Sequence, residues 1–155
     1  MSRIAEDNNW MRHCHELAQQ AAWVGEVPVA AALVMDGRLV ADAFNTNISD
    51  CDPSAHAEIN VLRRAGKLLG NHRLTGATLY VTLEPCIMCA GAIVNARVKR
   101  CVFGAYDKER GAAGSVANIL QTPLLNHQCL VQAGIMEHEC EALLNSFFEQ
   151  RRVKE

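Results

Sequence analysis

Four residues in two short stretches carry the chemistry this chain can do: His56-Ala57-Glu58 and, after a gap, Pro85-Cys86-Ile87-Met88-Cys89. One imidazole and two thiols make a three-ligand zinc set, and three protein ligands leave the fourth tetrahedral position open to water. That open position separates a catalytic zinc from a structural one. Glu58 is left over as a carboxylate, two residues past the histidine and close enough to touch a water on the metal without binding the ion. A metal-activated water at neutral pH with a carboxylate beside it is the equipment of a hydrolytic reaction. Cys86 and Cys89 are three apart at an expected helix start, so both sulfurs can face one point. A helix N-terminus also favours the thiolate that zinc requires.

Each piece has a plainer reading. His56 alone is a helix-start histidine, and Glu58 alone is a first-turn carboxylate favoured by the helix dipole. A Cys-x-x-Cys that follows a strand and opens a helix is also the thioredoxin-type redox pair, which would leave His56 and Glu58 unused. A zinc-stabilised binding module would need a fourth protein ligand, for which Cys51 is available. No Gly-Lys-Ser/Thr follows Gly104, Gly111 and Gly114, so there is no phosphate loop, and no Gly-x-Ser-x-Gly elbow is present.

The elements that must position these residues follow from periodicity. Asp7 to Val24 reads as a helix with Trp10, Cys14, Leu17, Ala18 and Ala21 on one face. Val29–Met35 and Arg38–Phe44 read as strands joined by Asp36-Gly37, a hairpin dipeptide that tolerates positive φ. Polar Thr46 to Ser54 is a loop. A second helix is expected over Ala55–Leu69, capped by Ser54, with Val61, Leu62, Ala65, Leu68 and Leu69 inward. Then come a strand over Thr78–Leu83, a buried helix over Cys86–Arg97 and a strand over Arg100–Tyr106. A loop from Asp107 to Ser115, a short helix over Val116–Leu120 and a short strand over Cys129–Ala133 follow. The last helix spans Met136–Arg152, with Met136, Cys140, Leu143, Leu144 and Phe147 on its apolar stripe. Helix, hairpin, then strands alternating with helices argue for an α/β fold, a mixed sheet with helices on both faces. Both halves of the metal signature fall where a loop enters a helix.

At 155 residues the chain is expected to form a single domain over 1–155. Charged residues make up 21% and hydrophobic residues 50%, an ordinary soluble balance. Met1 to Glu6 lacks an apolar signal region, and the apolar run around Val27 to Met35 is too short to span a bilayer, so no membrane partner and a cytoplasmic location are expected. In that setting seven cysteines point to metal rather than to a disulfide framework. Cys14, Cys101 and Cys140 sit among apolar residues and are expected in the core. A net charge of −2 gives no global pull toward nucleic acid. Basic residues do cluster at Arg63, Arg64 and Lys67, at Arg97, Lys99 and Arg100, and at Arg151, Arg152 and Lys154.

Longer stretches narrow the reading. They are Glu26-Val27-Pro28-Val29, Asp52-Pro53-Ser54-Ala55-His56-Ala57-Glu58-Ile59, Thr82 through Ala92, Gly104-Ala105-Tyr106-Asp107 with Gly111-Ala112-Ala113-Gly114-Ser115, and Leu143 through Arg152. On these the chain, from Trp10 to about Arg152, resembles the bacterial tRNA-specific adenosine deaminases of the cytidine deaminase superfamily. The metal signature alone is shared with cytosine, guanine and nucleotide deaminases, so a deaminase of a free nucleobase or nucleotide stays as the alternative. The Gly-Ala-Ala-Gly-Ser loop and the Phe-Phe-x-x-Arg-Arg ending point to the tRNA branch.

The resemblance implies a three-layer α/β/α fold around a central mixed five-stranded sheet. It implies one Zn2+ per subunit of a homodimer, a tRNA anticodon stem-loop as partner, and hydrolysis of adenosine to inosine at the wobble position, with attack at C6 of adenine. His56, Cys86 and Cys89 carry over as ligands and Glu58 as the proton shuttle. Asn45 would bind the base, Val27, Pro28 and Ala55 would wall the pocket, Asp107 would sit beside the sugar and backbone, and Arg151 and Arg152 would contribute to RNA-backbone binding. Ala30, Tyr106 and Glu149 depart from the family's common residues, glycine, arginine and a positive residue respectively.

Overall fold

The computed structural model describes residues 1–154. Its elements are α1 (Arg3–Trp23), β1 (Ala30–Met35), β2 (Arg38–Phe44), α2 (Ala57–Leu69), β3 (Thr78–Leu83), α3 (Ile87–Asn95), β4 (Arg100–Ala105), β5 (Leu130–Gln132) and α4 (Glu137–Lys154). The five strands form one sheet in the order β2-β1-β3-β4-β5. β1 runs antiparallel to both β2 and β3, while β3, β4 and β5 are parallel. The sheet is therefore mixed, as the element order implies, and α3 is the crossover between parallel β3 and β4.

Side chains alternate across the central strands, and both faces are covered. Ala31, Leu33, Leu79, Val81, Cys101 and Phe103 pack on one side with Ala57, Val61 and Ala65 of α2 and Ala90, Ile93 and Val94 of α3. Ala32, Val34, Tyr80 and Val102 pack on the other with Met11 and Cys14 of α1 and Cys140 of α4. Cys14, Cys101 and Cys140 are core residues, as is Cys129; Cys51 is exposed. The hairpin turn has φ of 52° at Asp36 and 73° at Gly37, the left-handed pair that a two-residue turn needs.

Several boundaries differ from expectation. α1 begins at Arg3 because Ser2 is its N-cap, its hydroxyl accepting from Ala5 N at 3.2 Å. Its apolar face is interrupted by Asp7, which is buried against Arg100 and Tyr80; Trp10 and Leu17 are half-buried. α2 begins at Ala57, not Ala55, and Ser54 does not cap it. The Ser54 hydroxyl and amide both donate to Asp52 Oδ1, and Asn45 Oδ1 accepts from Ala57 N instead. Leu68 and Leu69 are exposed, since the sheet and α3 cover only the stripe that ends at Ala65. α3 ends at Asn95 because Arg97 turns left-handed, with φ of 61°. Val116 to Leu120 forms no helix. Five residues with a β-branched start do not offset nucleation, and their amides are taken by the preceding loop, Val116 N and Ala117 N on Gly111 O and Ile119 N on Ala112 O.

Candidate active-site cleft and metal centre

Two helix N-termini meet at one end of the sheet. His56 is the N-cap residue of α2 and Cys86 that of α3. Pro85 fixes the chain as it leaves β3, so the turn delivers Cys86 and, one helical turn on, Cys89 to the same point. His56 Nδ1 lies 3.6 Å from Cys86 Sγ and 3.4 Å from Cys89 Sγ. All three candidate ligand atoms lie within 4.8 Å of one another, and the group could hold a metal ion. A zinc tetrahedron with Zn–N of about 2.05 Å and Zn–S of about 2.3 Å has N···S edges of about 3.6 Å. The donor set fits zinc in both chemistry and spacing.

The three groups share one proton network, in which Cys86 is the group held as a thiolate and Cys89 and His56 hold the protons a metal ion would displace. The hydrogen bond from Cys89, aided by His56 and by the Cys89 backbone N–H and opposed by burial, brings the Cys86 thiol down to about 3. Cys89 moves upward, because it is the thiol that donates to Cys86 and is itself buried. The hydrogen bond with Cys86 raises His56 against the opposing effect of burial. Glu58 is only 4% exposed. Burial lifts its carboxyl to about 7, its own backbone N–H and His56 holding it back. A carboxyl with that value can both accept and return a proton near neutral pH.

His56, Glu58 and Cys86 line a cleft of about 750 Å3, and Cys89 is fully buried behind them. Val27, Val29 and Asn45 form one wall, Leu83 and Tyr106 to Arg110 another, and Glu137, Glu141, Asn145 and Phe148 of α4 a third; His56, Glu58 and Cys86 lie between them. The expected site residues divide accordingly. Val27, Asn45 and Asp107 line the cleft. Pro28 and Ala55 are buried beside it, and the Ala55 carbonyl accepts from Thr46 N at 2.9 Å. Asn45 has only 7% of its surface exposed. Its Oδ1 is held by Ala57 N at 2.7 Å, which leaves its amide N–H groups as the end free to meet a ligand. Asp107 Oδ1 accepts from the amides of Glu109 and Arg110 and so shapes its own turn. Arg151 and Arg152 are not part of the lining. The Arg151 guanidinium lies 4.8 Å over the Phe147 ring and donates to Gly25 O at 2.5 Å.

Sequence reasoning assigned no work to two buried carboxylates, Glu26 and Glu84, 1% and 2% exposed. Glu26 accepts from Ile48 N at 3.1 Å, from Ser49 N at 2.7 Å and from the Ser49 hydroxyl at 2.5 Å. Glu84 accepts from the amides of Asp107, Ala113 and Ser115 and from the Ser115 hydroxyl. The signal was there: a lone charge ending an apolar strand, and polar loops whose amides need acceptors. A separate hollow of about 670 Å3 between α2 and α3, lined by Leu62, Arg63, Lys67 and His72 among others, contains none of these groups.

The family model described as MafB19-like deaminase matches residues 5–152. A tRNA-specific adenosine deaminase of Bacillus subtilis (strain 168) is 45% identical over 97% of this chain and 94% of its own length. One from Haemophilus influenzae is 47% identical over 94% of this chain and 85% of its own. The chain belongs to the tRNA-specific adenosine deaminases. As a member of that family it is a deaminase enzyme. A solved structure from work on A-to-I editing by tRNA:A34 deaminases at the wobble position of transfer RNA superposes with a TM-score of 0.85 and 43% identity, covering 88% of this chain and 99% of that one. The mixed five-stranded sheet with its helices is thus the cytidine deaminase-like fold of this family. Among the described residues no helix is long and apolar enough to cross a membrane.

Proposed function

We propose that the protein converts adenosine to inosine at the wobble position of a tRNA anticodon loop, with one zinc held by His56, Cys86 and Cys89 and with Glu58 moving the protons. The observation that carries this is the buried Glu58 carboxyl beside a zinc-fitting triad in one cleft of a chain 45% identical to a tRNA-specific adenosine deaminase. Zinc, when bound, supplies a Lewis acid that brings the pKa of water to about 7. Glu58 takes a proton from the attacking water and delivers protons to N1 of adenine and then to the departing amine. The C6–O bond forms, the C6–N bond breaks, and inosine and ammonia are the products. The carboxyl lies near pKa 7 by burial, which suits it to both halves of the exchange.

The other residues position and select. Asn45 donates its free amide N–H to the base while its oxygen holds the start of α2. Val27 lines the base pocket, with Pro28 and Ala55 packed beside it. Asp107 faces the sugar and backbone, and Arg152 adds positive charge to the RNA path with Arg151 beside it. The target base leaves the loop stack to reach the floor, as enzymes acting on a base require. The protein works as a single domain in a cytoplasmic homodimer. Exposed Leu68, Leu69, Ile87 and Met88 on and beside α2 and α3 suit a second copy, and sedimentation measures this. The direct test incubates zinc-loaded protein with an anticodon stem-loop bearing a wobble adenosine, and in parallel with free adenosine, cytosine and guanine. Inosine in the RNA alone is the expected result; ammonia from a free base alone would replace this substrate with a small molecule.

A further inference from the structure

We propose that Glu84 is the positioning residue that ties the substrate-side wall of the cleft to the turn presenting Cys86. Glu84 sits between β3 and Pro85 and is 2% exposed. Both of its oxygens are directed at one loop. Oε1 accepts from Asp107 N at 3.1 Å and from the Ser115 hydroxyl, and Oε2 from Ala113 N and Ser115 N, each at 3.0 Å. The adjacent Pro85 carbonyl accepts from Ala112 N at 2.8 Å. The loop that begins at Asp107 is thus held, at both ends and in the middle, by the two residues that precede the first cysteine.

A second observation is steric. A Cβ on Gly111 would collide with the Glu84 carboxyl and lie 2.5 Å from Asp107 O, so the loop closes over the carboxylate only because residue 111 has no side chain. The same loop presents Asp107, Lys108, Glu109 and Arg110 to the cleft. Glu84 therefore sets where those four residues stand relative to the metal side, although its own acceptors are already engaged and it is not a catalytic residue. The arrangement places substrate binding, rather than the metal site, under its control.

The inference rests on reading the cleft as the adenosine site, and the test separates the two. Glu84→Gln keeps one acceptor oxygen and turns an NH2 group toward backbone donors. Ser115→Ala, on the exposed side, removes one donor and spares the buried residue. Val116→Ala, on the same loop with its side chain in solvent, is the control. The readouts are amide hydrogen exchange at Asp107, Ala113 and Ser115, zinc stoichiometry, and steady-state constants on a wobble-adenosine stem-loop. In Glu84→Gln those three amides should exchange at least about tenfold faster. KM should rise about tenfold with kcat within about threefold, because a wall that must be ordered by the substrate costs binding and not the chemical step. Zinc content should stay at the wild-type value, Ser115→Ala should move in the same direction by less, and Val116→Ala should not move. Unchanged exchange overturns the tie, and faster exchange with unchanged KM overturns the positioning role. Loss of zinc with kcat falling at constant KM would assign Glu84 to the metal turn instead. If Glu84→Gln does not fold, Ser115→Ala decides by the same signs. A wild-type protein silent on RNA would sink the substrate reading, and the exchange result would still decide the tie.

Discussion

Asn45 is the residue at which fold and the proposed function can be separated most cleanly, because one end of its side chain holds α2 and the other is the end proposed to meet the base. Its Oδ1 accepts from Ala57 N at 2.7 Å, and Ala57 is fully buried between the candidate ligand His56 and Glu58. Asn45→Ala removes a cap-like acceptor, worth about 0.5–2 kcal/mol, and leaves a buried N–H without a partner, which costs about 1–3 kcal/mol on its own. Because these are two views of one loss, the expected destabilisation is about 2 kcal/mol. For a chain of this size that lowers Tm by roughly 4–8 °C. Asn45→Asp restores an acceptor and adds negative charge at a helix N-terminus, which is favourable by about 0.3–1 kcal/mol. Its melt should therefore match or exceed wild type. It has no N–H to offer the base, so kcat/KM on the stem-loop should still fall at least about tenfold. Thermal melts of the zinc-loaded proteins, paired with kcat/KM, read the two ends separately. An Asn45→Asp enzyme with wild-type kcat/KM, or an Asn45→Ala protein with a wild-type melt, would refute the reasoning.

Other expectations concern the frame around the site. Asp7→Ala leaves the Arg100 guanidinium and the Tyr80 hydroxyl buried without their shared carboxylate, so urea unfolding should show a loss of about 3–5 kcal/mol, while Asp7→Leu with Arg100→Met should recover most of it. At Glu26 burial pushes the carboxyl up, but the Ser49 hydroxyl and the Ser49 and Ile48 amides outweigh it, so the folded value lies below the ordinary 4.5. Its contribution is therefore complete above the unfolded value and is lost as pH falls through the folded one; the stability difference between wild type and Glu26→Gln should shrink as pH falls below the ordinary value of 4.5. Arg152→Ala should lower the slope of log affinity against log salt by about 0.7. Arg151→Ala, which also releases Gly25, should lower Tm as well, and an unchanged melt would show that its bond to the Gly25 carbonyl does not stabilise the fold.

Most of the sheet was legible because short apolar runs bounded by turn residues read as buried strands, and Asp36-Gly37 placed the hairpin turn, although the pairing of its strands shifts by one residue between Leu33 and Val34. The grouping of His56, Cys86 and Cys89 was legible because one imidazole and two thiols at that spacing have few other uses. Helix ends were less so. Ser54 looks like a cap, and only the folded loop reveals that Asp52 claims its hydroxyl while Asn45 reaches across to Ala57. Val116 to Leu120 looked helical in isolation, but local propensity yielded to the amide demands of the loop beside it. Buried Asp7 could not be read from composition, and at Glu26 and Glu84 the only signal was the apolar strand and polar loops nearby, since a charge belongs inside only when its partners, distant in sequence, arrive around it. Leu68 and Leu69 fit the apolar pattern of α2 yet stay exposed, because period alone does not say how far the covering sheet extends.

The most direct test of the central claim is site-resolved inosine formation in a wobble-adenosine stem-loop by wild type and Glu58→Ala, with zinc measured in both. Glu58 is not among the three residues placed to hold the ion, so zinc content should be equal. Wild type should form inosine at the wobble position only, and the variant should be slower by about 10²–10⁴-fold, the usual contribution of a positioned acid–base group. A zinc-loaded Glu58→Ala enzyme that deaminates the RNA at the wild-type rate would contradict the account.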